Sequence, residues 1–227
     1  GHEVYSSVGA EPPNNIDHYT QQKVSVVEVN FLNKSTLENI PEDIDAAYYL
    51  VHSMASTSGD FEVLEKRSAV HFKQRMEATR VKQVIYLSGI VNEEKLSKHL
   101  SSRKNVEDIL GSADFNLTTL RAGIIVGSGS ASFEIIRDLV EKLPVMIAPR
   151  WLETKSQPIA VRNVLDYLKG VLHQEETYGK SFDIGGPDVL TYKQLLLKFA
   201  AVRKLKRAIF IVPVMTPRLS SYWLYFV

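Results

Sequence analysis

The chain has 227 residues, 44% of them hydrophobic, and its 27 Lys and Arg nearly cancel 26 Asp and Glu, which suits one large domain or a domain with a modest lobe and leaves no broad basic field of the kind that nucleic acid or an anionic membrane surface requires. Cysteine is absent, so disulfides, thiolate catalysis and Cys-based zinc sites are excluded. No apolar run approaches the roughly 20 residues that span a bilayer and no signal-peptide pattern opens the chain, so the expectation is a cytoplasmic protein with no membrane span and no nucleic-acid partner.

In chain order, "GHEVYSSV" (1–8) reads as a helix end feeding a strand through Val4, Tyr5 and Val8. Four further strand-like runs come after it: "KVSVVEVNF" (23–31), "DAAYYLVHS" (45–53), "VKQVIYLSG" (81–89) and "LTTLRAGIIVG" (117–127). Each is rich in Val, Ile, Tyr or Leu. Helical patterns separate them: "STLENIPED", opening on a capping-type Ser35 with Glu38 three residues on, then 60–79 and 93–113 with apolar residues three and four apart. Strand and helix alternating in this order predict a parallel sheet covered on both faces, a Rossmann-type doubly wound α/β fold. Beyond Leu143 the runs "LPVMIAPRW", "KSFDIGGPDVLTYKQLLLKF" and "RAIFIVP" suggest a small α/β lobe, dividing the chain into a main domain over 1–143 and a lobe over 144–227. The tail "YWLYFV" is apolar and is a candidate buried helix, a surface for oligomer formation, or the cut edge of a longer protein.

In a doubly wound sheet the ligand sits outside the carboxyl ends of the strands. That directs attention to Asn30 and Phe31, Val51 to Met54, Ser88 and Gly89, and Ala122 to Gly127. Strand ends are also polar simply because the chain turns there. Six scattered histidines with no ligand-like spacing make no case for a metal.

The run "VKQVIYLSG", a helix, and then Leu120, Arg121, Ala122, Gly123 and Gly127 resemble the extended and atypical short-chain dehydrogenase/reductase superfamily. The similarity is nearest to its NmrA-like subgroup of nucleoside-diphosphate-sugar epimerases, with "DIDAAYYLVHSM", "LRAGIIVGSGSASFEIIRDLV" and "LPVMIAPRW" as the most specific stretches. Relatives open on a strand, a Gly-x-x-Gly-x-x-Gly turn and a helix, and "GHEVYSS" resembles the end of that helix and the second strand, so the first strand and helix are expected to precede this chain. "GSGSAS" (127–132) comes after a late strand and reads as the loop opening the next helix.

The resemblance implies NAD or NADP as cofactor, and Ser6 stands where either is contacted. It implies an NAD(P)-binding domain over 1–143 and a substrate-binding lobe over 144–227, with cofactor contacts at Asn30, Phe31, Val51, His52, Ser53, His71, Arg103, Ala122, Gly123 and Ile124. For catalysis, relatives pair a strand-end Ser with Tyr-x-x-x-Lys on the next helix; here Ser88 supplies the Ser, and "HLSSR" puts His99 and Arg103 at the Tyr and Lys positions. An imidazole with an ordinary pKa near ~6.5 relays protons near neutrality, although Arg103 beside it favours the neutral ring. The plainer alternative is a solvated helix face. Lys104 with Glu107 reads as a surface ion pair. Arg150 and Trp151 are the substrate candidates, a guanidinium for an anionic group and an indole for a flat or apolar surface. The expected activity is that of an NAD(P)-dependent oxidoreductase or nucleoside-diphosphate-sugar epimerase acting on a small molecule. The alternative is a non-catalytic dinucleotide sensor or scaffold.

Overall fold

The computed structural model describes residues 2–9, 24–51, 61–90 and 98–212, with side chains in the last range from Ser101 onward. The chain forms two compact units, one of Gly1–Arg121 with Gly170–Phe182 and the other of Ala122–Lys169 with Asp183–Val227.

In the first unit, β1 (Val4–Val8) and β2 (Val24–Glu28) pair in parallel, Val4 opposite Val24 and Val8 opposite Glu28. The chain leaves β2 through a polar turn in which Leu32 N–H donates to Asn30 Oδ1 (2.9 Å) and Asn30 N–H donates to Thr36 Oγ1 (2.8 Å). The 3-10 turn after it, Lys34–Asn39, is capped by the Asn33 side chain, which accepts from Ser35 N–H. The expected cap was Ser35. Asn33 takes the role because a short side chain one residue before the turn reaches its free N–H groups.

A second sheet has the order β10–β5–β4–β3, all parallel, built from β3 (Ala46–Tyr49), β4 (Gln83–Gly89), β5 (Asn116–Ala122) and β10 (Lys180–Ile184). Tyr49 stands opposite Tyr86 in the β3–β4 register. β4 is buried along nearly its whole length, as its continuous apolar run requires of a central parallel strand. Helices α1 (Phe61–Glu77) and α2 (Lys98–Gly111) coincide with the expected 60–79 and 93–113 and end two residues earlier than expected; positions 60 and 93–97 lie outside the described residues. On α1 the buried positions Glu65, Ser68, Ala69, Phe72 and Met76 repeat at three and four residues, so one stripe faces inward. Tyr49, Phe72, Tyr86, Val106 and Leu110 form the core beneath the two helices.

The expected strand over 117–127 is two strands. β5 ends at Ala122, and β6 (Ile125–Val126) resumes after Gly123 in the second unit, pairing with β9 (Ile159–Ala160). There, β7 (Val145–Pro149) pairs with β12 (Ala208–Val212), and the short β8 (Lys155–Ser156) pairs with β11 (Leu190–Thr191). Helices α3 (Ala131–Lys142), α4 (Val161–Gly170) and α5 (Tyr192–Val202) complete this unit, whose core centres on Val140, Met146, Ala148, Leu196 and Ile209. As expected, "GSGSAS" is the loop that opens a helix: Ser130 is the residue just before α3. Its Gly127 lies so close to Val161 that a Cβ would overlap that side chain, so this glycine serves packing.

Candidate functional site

Parallel strands bring their carboxyl ends to one edge of the sheet. Ser88 is the last residue but one of β4 and is 2% exposed, and its Oγ has no hydrogen-bond partner among the described residues. Leaving a buried hydroxyl unpaired costs about 1–3 kcal/mol. Tyr86, two residues earlier, shares its strand face. Its phenol donates to the main-chain carbonyl of Arg103 (3.4 Å). Burial pushes that phenol up to about 12; the neighbouring Ser88 hydroxyl and the Arg103 charge oppose the shift, and Glu65 and Glu107 add to it. Ser88 and Tyr86 are close enough for this influence, yet the pair does not reach hydrogen-bonding geometry. Burial likewise raises Tyr49 above the usual phenol range, so both core phenols are neutral at ordinary pH.

Across from Ser88's face lies α2. Arg103 is half-buried on it, Val106 and Leu110 are fully buried, and Ser102 is 2% exposed. Position 99 falls on this same stripe by register, four residues before Arg103 and seven before Val106. Arg103 is therefore half-buried beside the buried positions 102, 106 and 110 of this helix. The side chain of His99 lies outside the described residues, as do His52 and Ser53.

The other candidates scatter in role. Ser6 is half-buried in mid-β1 opposite Val26. Asn30 is exposed, with its main-chain N–H and side-chain oxygen occupied by the turn after β2. The Phe31 ring packs edge-on against Tyr49 and Phe72. His71 is buried, and its Nδ1 lies 2.7 Å from the Phe31 carbonyl oxygen, which can only accept; Nδ1 carries the proton. That bond fastens α1 to the strand-end loop. Val51 is 38% exposed just past β3. Ala122, buried, closes β5, and half-buried Gly123 and Ile124 come next. In the second unit, Arg150 projects from a 3-10 turn, Arg150–Glu153, with its Nε 3.9 Å from Glu153. Trp151 is 58% exposed and stands edge-on to Tyr192 at 5.5 Å. An exposed indole fixed by a second ring offers a flat face to a ligand.

One charge pair differs from expectation. Lys104 pairs with Asp108 (2.6 Å) and not with Glu107. Glu107 is buried, and its carboxylate takes both Nε (3.1 Å) and Nη2 (2.6 Å) of Arg121 and the Ser181 hydroxyl (2.8 Å). The i,i+4 spacing suits a surface pair better than i,i+3 here, while a buried carboxylate requires the bidentate guanidinium. Sequence reading also passed over the buried Glu65, whose Oε2 accepts from the Ser102 hydroxyl. A charged residue inside an apolar helix stripe was the available signal.

No protein-family model and no curated protein matches the chain. Solved structures do. A nucleoside-diphosphate-sugar epimerase from Staphylococcus aureus matches 96% of this chain and 74% of its own at a TM-score of 0.74 and 13% identity. Triphenylmethane reductase of Citrobacter sp. matches 98% and 73% at 0.75 and 13% identity. The Bordetella bronchiseptica enzyme WbmG, solved in complex with NAD and UDP, matches 97% and 87% at 0.71 and 11% identity. The chain has the fold of the short-chain dehydrogenases and sugar-nucleotide epimerases. At these identities the likeness is one of fold. In the short-chain dehydrogenase fold the carboxyl edge of the sheet is the ligand edge, and Ser88 is on it. Among the described residues no helix is long and apolar enough to cross a membrane, and no cluster of three His, Asp or Glu is placed to hold a metal.

Proposed function

We propose that this protein binds a nicotinamide dinucleotide at the carboxyl edge of its sheet and acts as an NAD(P)-dependent oxidoreductase or nucleoside-diphosphate-sugar epimerase. The observation that carries the reading is the buried hydroxyl of Ser88 at the end of the central strand, unpartnered among the described residues, which fits a site completed by a ligand oxygen. When bound, the dinucleotide supplies hydride transfer. The chain's own residues do the rest: Ser88 Oγ orients the reacting oxygen, His99 exchanges a proton with it, and Arg103 binds ribose or phosphate with its guanidinium. Backbone at Val51, Ala122, Gly123 and Ile124 lines the nicotinamide side, with Ser6, Asn30 and Phe31 toward the adenosine end. His71 supports this lining through the Phe31 carbonyl. Arg150 and Trp151 receive the substrate, an anionic group on the first and a flat surface on the second.

The alternative, a dinucleotide sensor that does not turn over, is favoured by His99 and Arg103 standing where relatives pair Tyr with Lys. Titration of the intact protein with NADH and NADPH, followed by nicotinamide fluorescence, is the test. Saturable binding is expected, weakened by Arg103→Ala, with His99→Ala losing on the order of 10²-fold in turnover and little affinity. Absence of binding to either dinucleotide removes the proposal and its alternative together. Binding of a dinucleotide with no turnover of aldehydes, ketones, quinones or nucleotide sugars, by the intact protein or by its His99→Tyr, Arg103→Lys variant, supports the sensor.

A further inference from the structure

Glu65 is 6% exposed on α1 and Ser102 is 2% exposed on α2, and the hydroxyl of one donates to the carboxylate of the other. Two helices packing through an apolar stripe do not need a carboxylate at their contact, and burying one is costly unless it is satisfied. The very next residue of α2, Arg103, offers its carbonyl to the Tyr86 phenol from the sheet. A single turn of α2 is thereby tied on two sides, by α1 through Ser102 and by β4 through Arg103. One turn later, Glu107 is held by Arg121 and Ser181. Rotation of the helix about its own axis is opposed at each of these points, and rotation is the motion that most displaces the tip of a long side chain.

We propose that Glu65 is a positioning residue for Arg103: through the Ser102 hydroxyl it fixes the turn from which the Arg103 guanidinium reaches its anionic ligand. The identity of that ligand, the ribose–phosphate part of a dinucleotide, rests on the function proposed above. Glu65 itself contacts Ser102 and acts through it.

The test is a double-mutant cycle on NADH affinity in the intact protein, read by fluorescence. Glu65→Leu keeps bulk and removes the acceptor; its Kd is expected to rise on the order of tenfold. Glu65→Gln keeps an acceptor for Ser102 and is expected to recover most of that loss. In an Arg103→Ala background Glu65→Leu is expected to change Kd less than twofold, because its route of action is gone. An equal rise in both backgrounds, or no rise in the first, overturns the proposal. Should Glu65→Leu fail to fold, Ser102→Ala breaks the same bond from the other side and must show the same non-additivity. If the intact protein binds neither NADH nor NADPH, the proposed function falls, and the positioning claim is read separately from the Arg103 Nε–H resonance in ¹⁵N-labelled protein. That resonance is expected to shift and broaden in Glu65→Leu and to stay in place in Glu65→Gln; an unchanged resonance in both overturns it.

Discussion

Tyr86 shows how one side chain joins the core to the candidate site. Its ring packs beside Tyr49, 5.8 Å between centroids, while its hydroxyl points to the carbonyl of Arg103. The folded protein holds the phenol's proton more tightly than the unfolded chain, since its pKa is up to about 12 against the ordinary value of 10.0. The group's stabilising contribution is therefore complete below pH 10 and declines as pH climbs from there toward about 12, at up to ~1.4 kcal/mol per pH unit. Tyr49 and Tyr48 are raised as well and act in the same direction. Urea unfolding at pH 9, 10 and 11 is expected to show a falling midpoint in the wild type and a shallower fall in Tyr86→Phe. Parallel slopes in the two proteins would show that the Tyr86 phenol ionises as freely folded as unfolded.

Among elements, the turn after β10 tolerates least. A Cβ on Gly186 would overlap the Pro158 carbonyl oxygen, which is backbone and cannot swing aside, whereas Gly170 at the end of α4 has nothing within 4 Å. Gly186→Ala is expected to cost about 3 kcal/mol or more and Gly170→Ala less than ~0.5 kcal/mol, measured by chemical denaturation. Comparable losses for both would mean that the 185–187 turn yields. Such elements divide sharply in how far the sequence discloses them. The parallel strands and the stripe of α1 are written in periodicities of two and 3.6 that neighbouring residues impose on each other, and β4 was legible nearly to the residue. Ser88 was legible as a strand end. Cap and pair choices at one-residue resolution were not: Asn33 and Ser35 are separated only by where the turn begins, and Glu107 and Asp108 only by which side the helix buries. The polar contacts inside the core were least legible, because Glu65 meets Ser102 across 37 residues and Gln83 meets Thr118 across 35, and no local pattern encodes a partner so far away.

The whole molecule is not two successive stretches of chain. Residues 170–182 return from the second unit to the first, adding β10 to the sheet edge and presenting Val171 and His173 to the buried Gln83. Its amide donates to Thr118 Oγ1 (3.0 Å) and to the Val171 carbonyl (2.9 Å), and its oxygen accepts from His173 N–H (2.7 Å). A chain stopped after Lys169 keeps β3, β4 and β5 but strips Gln83 of two of these three bonds, at ~1–3 kcal/mol for each group left unpaired. The cooperative urea transition of the first unit is expected to vanish or broaden in that fragment; an unaltered transition would make 170–182 dispensable. Synthesis then acquires an order. A ribosome adding about 5–20 residues per second needs on the order of 5–20 seconds to travel the 90 residues between Gln83 and His173. Once β5 is made, a nascent chain carries three strands of the sheet with a Gln83 amide that has Thr118 alone to bind, and the first unit, begun first, is completed only after about half of the second has been made.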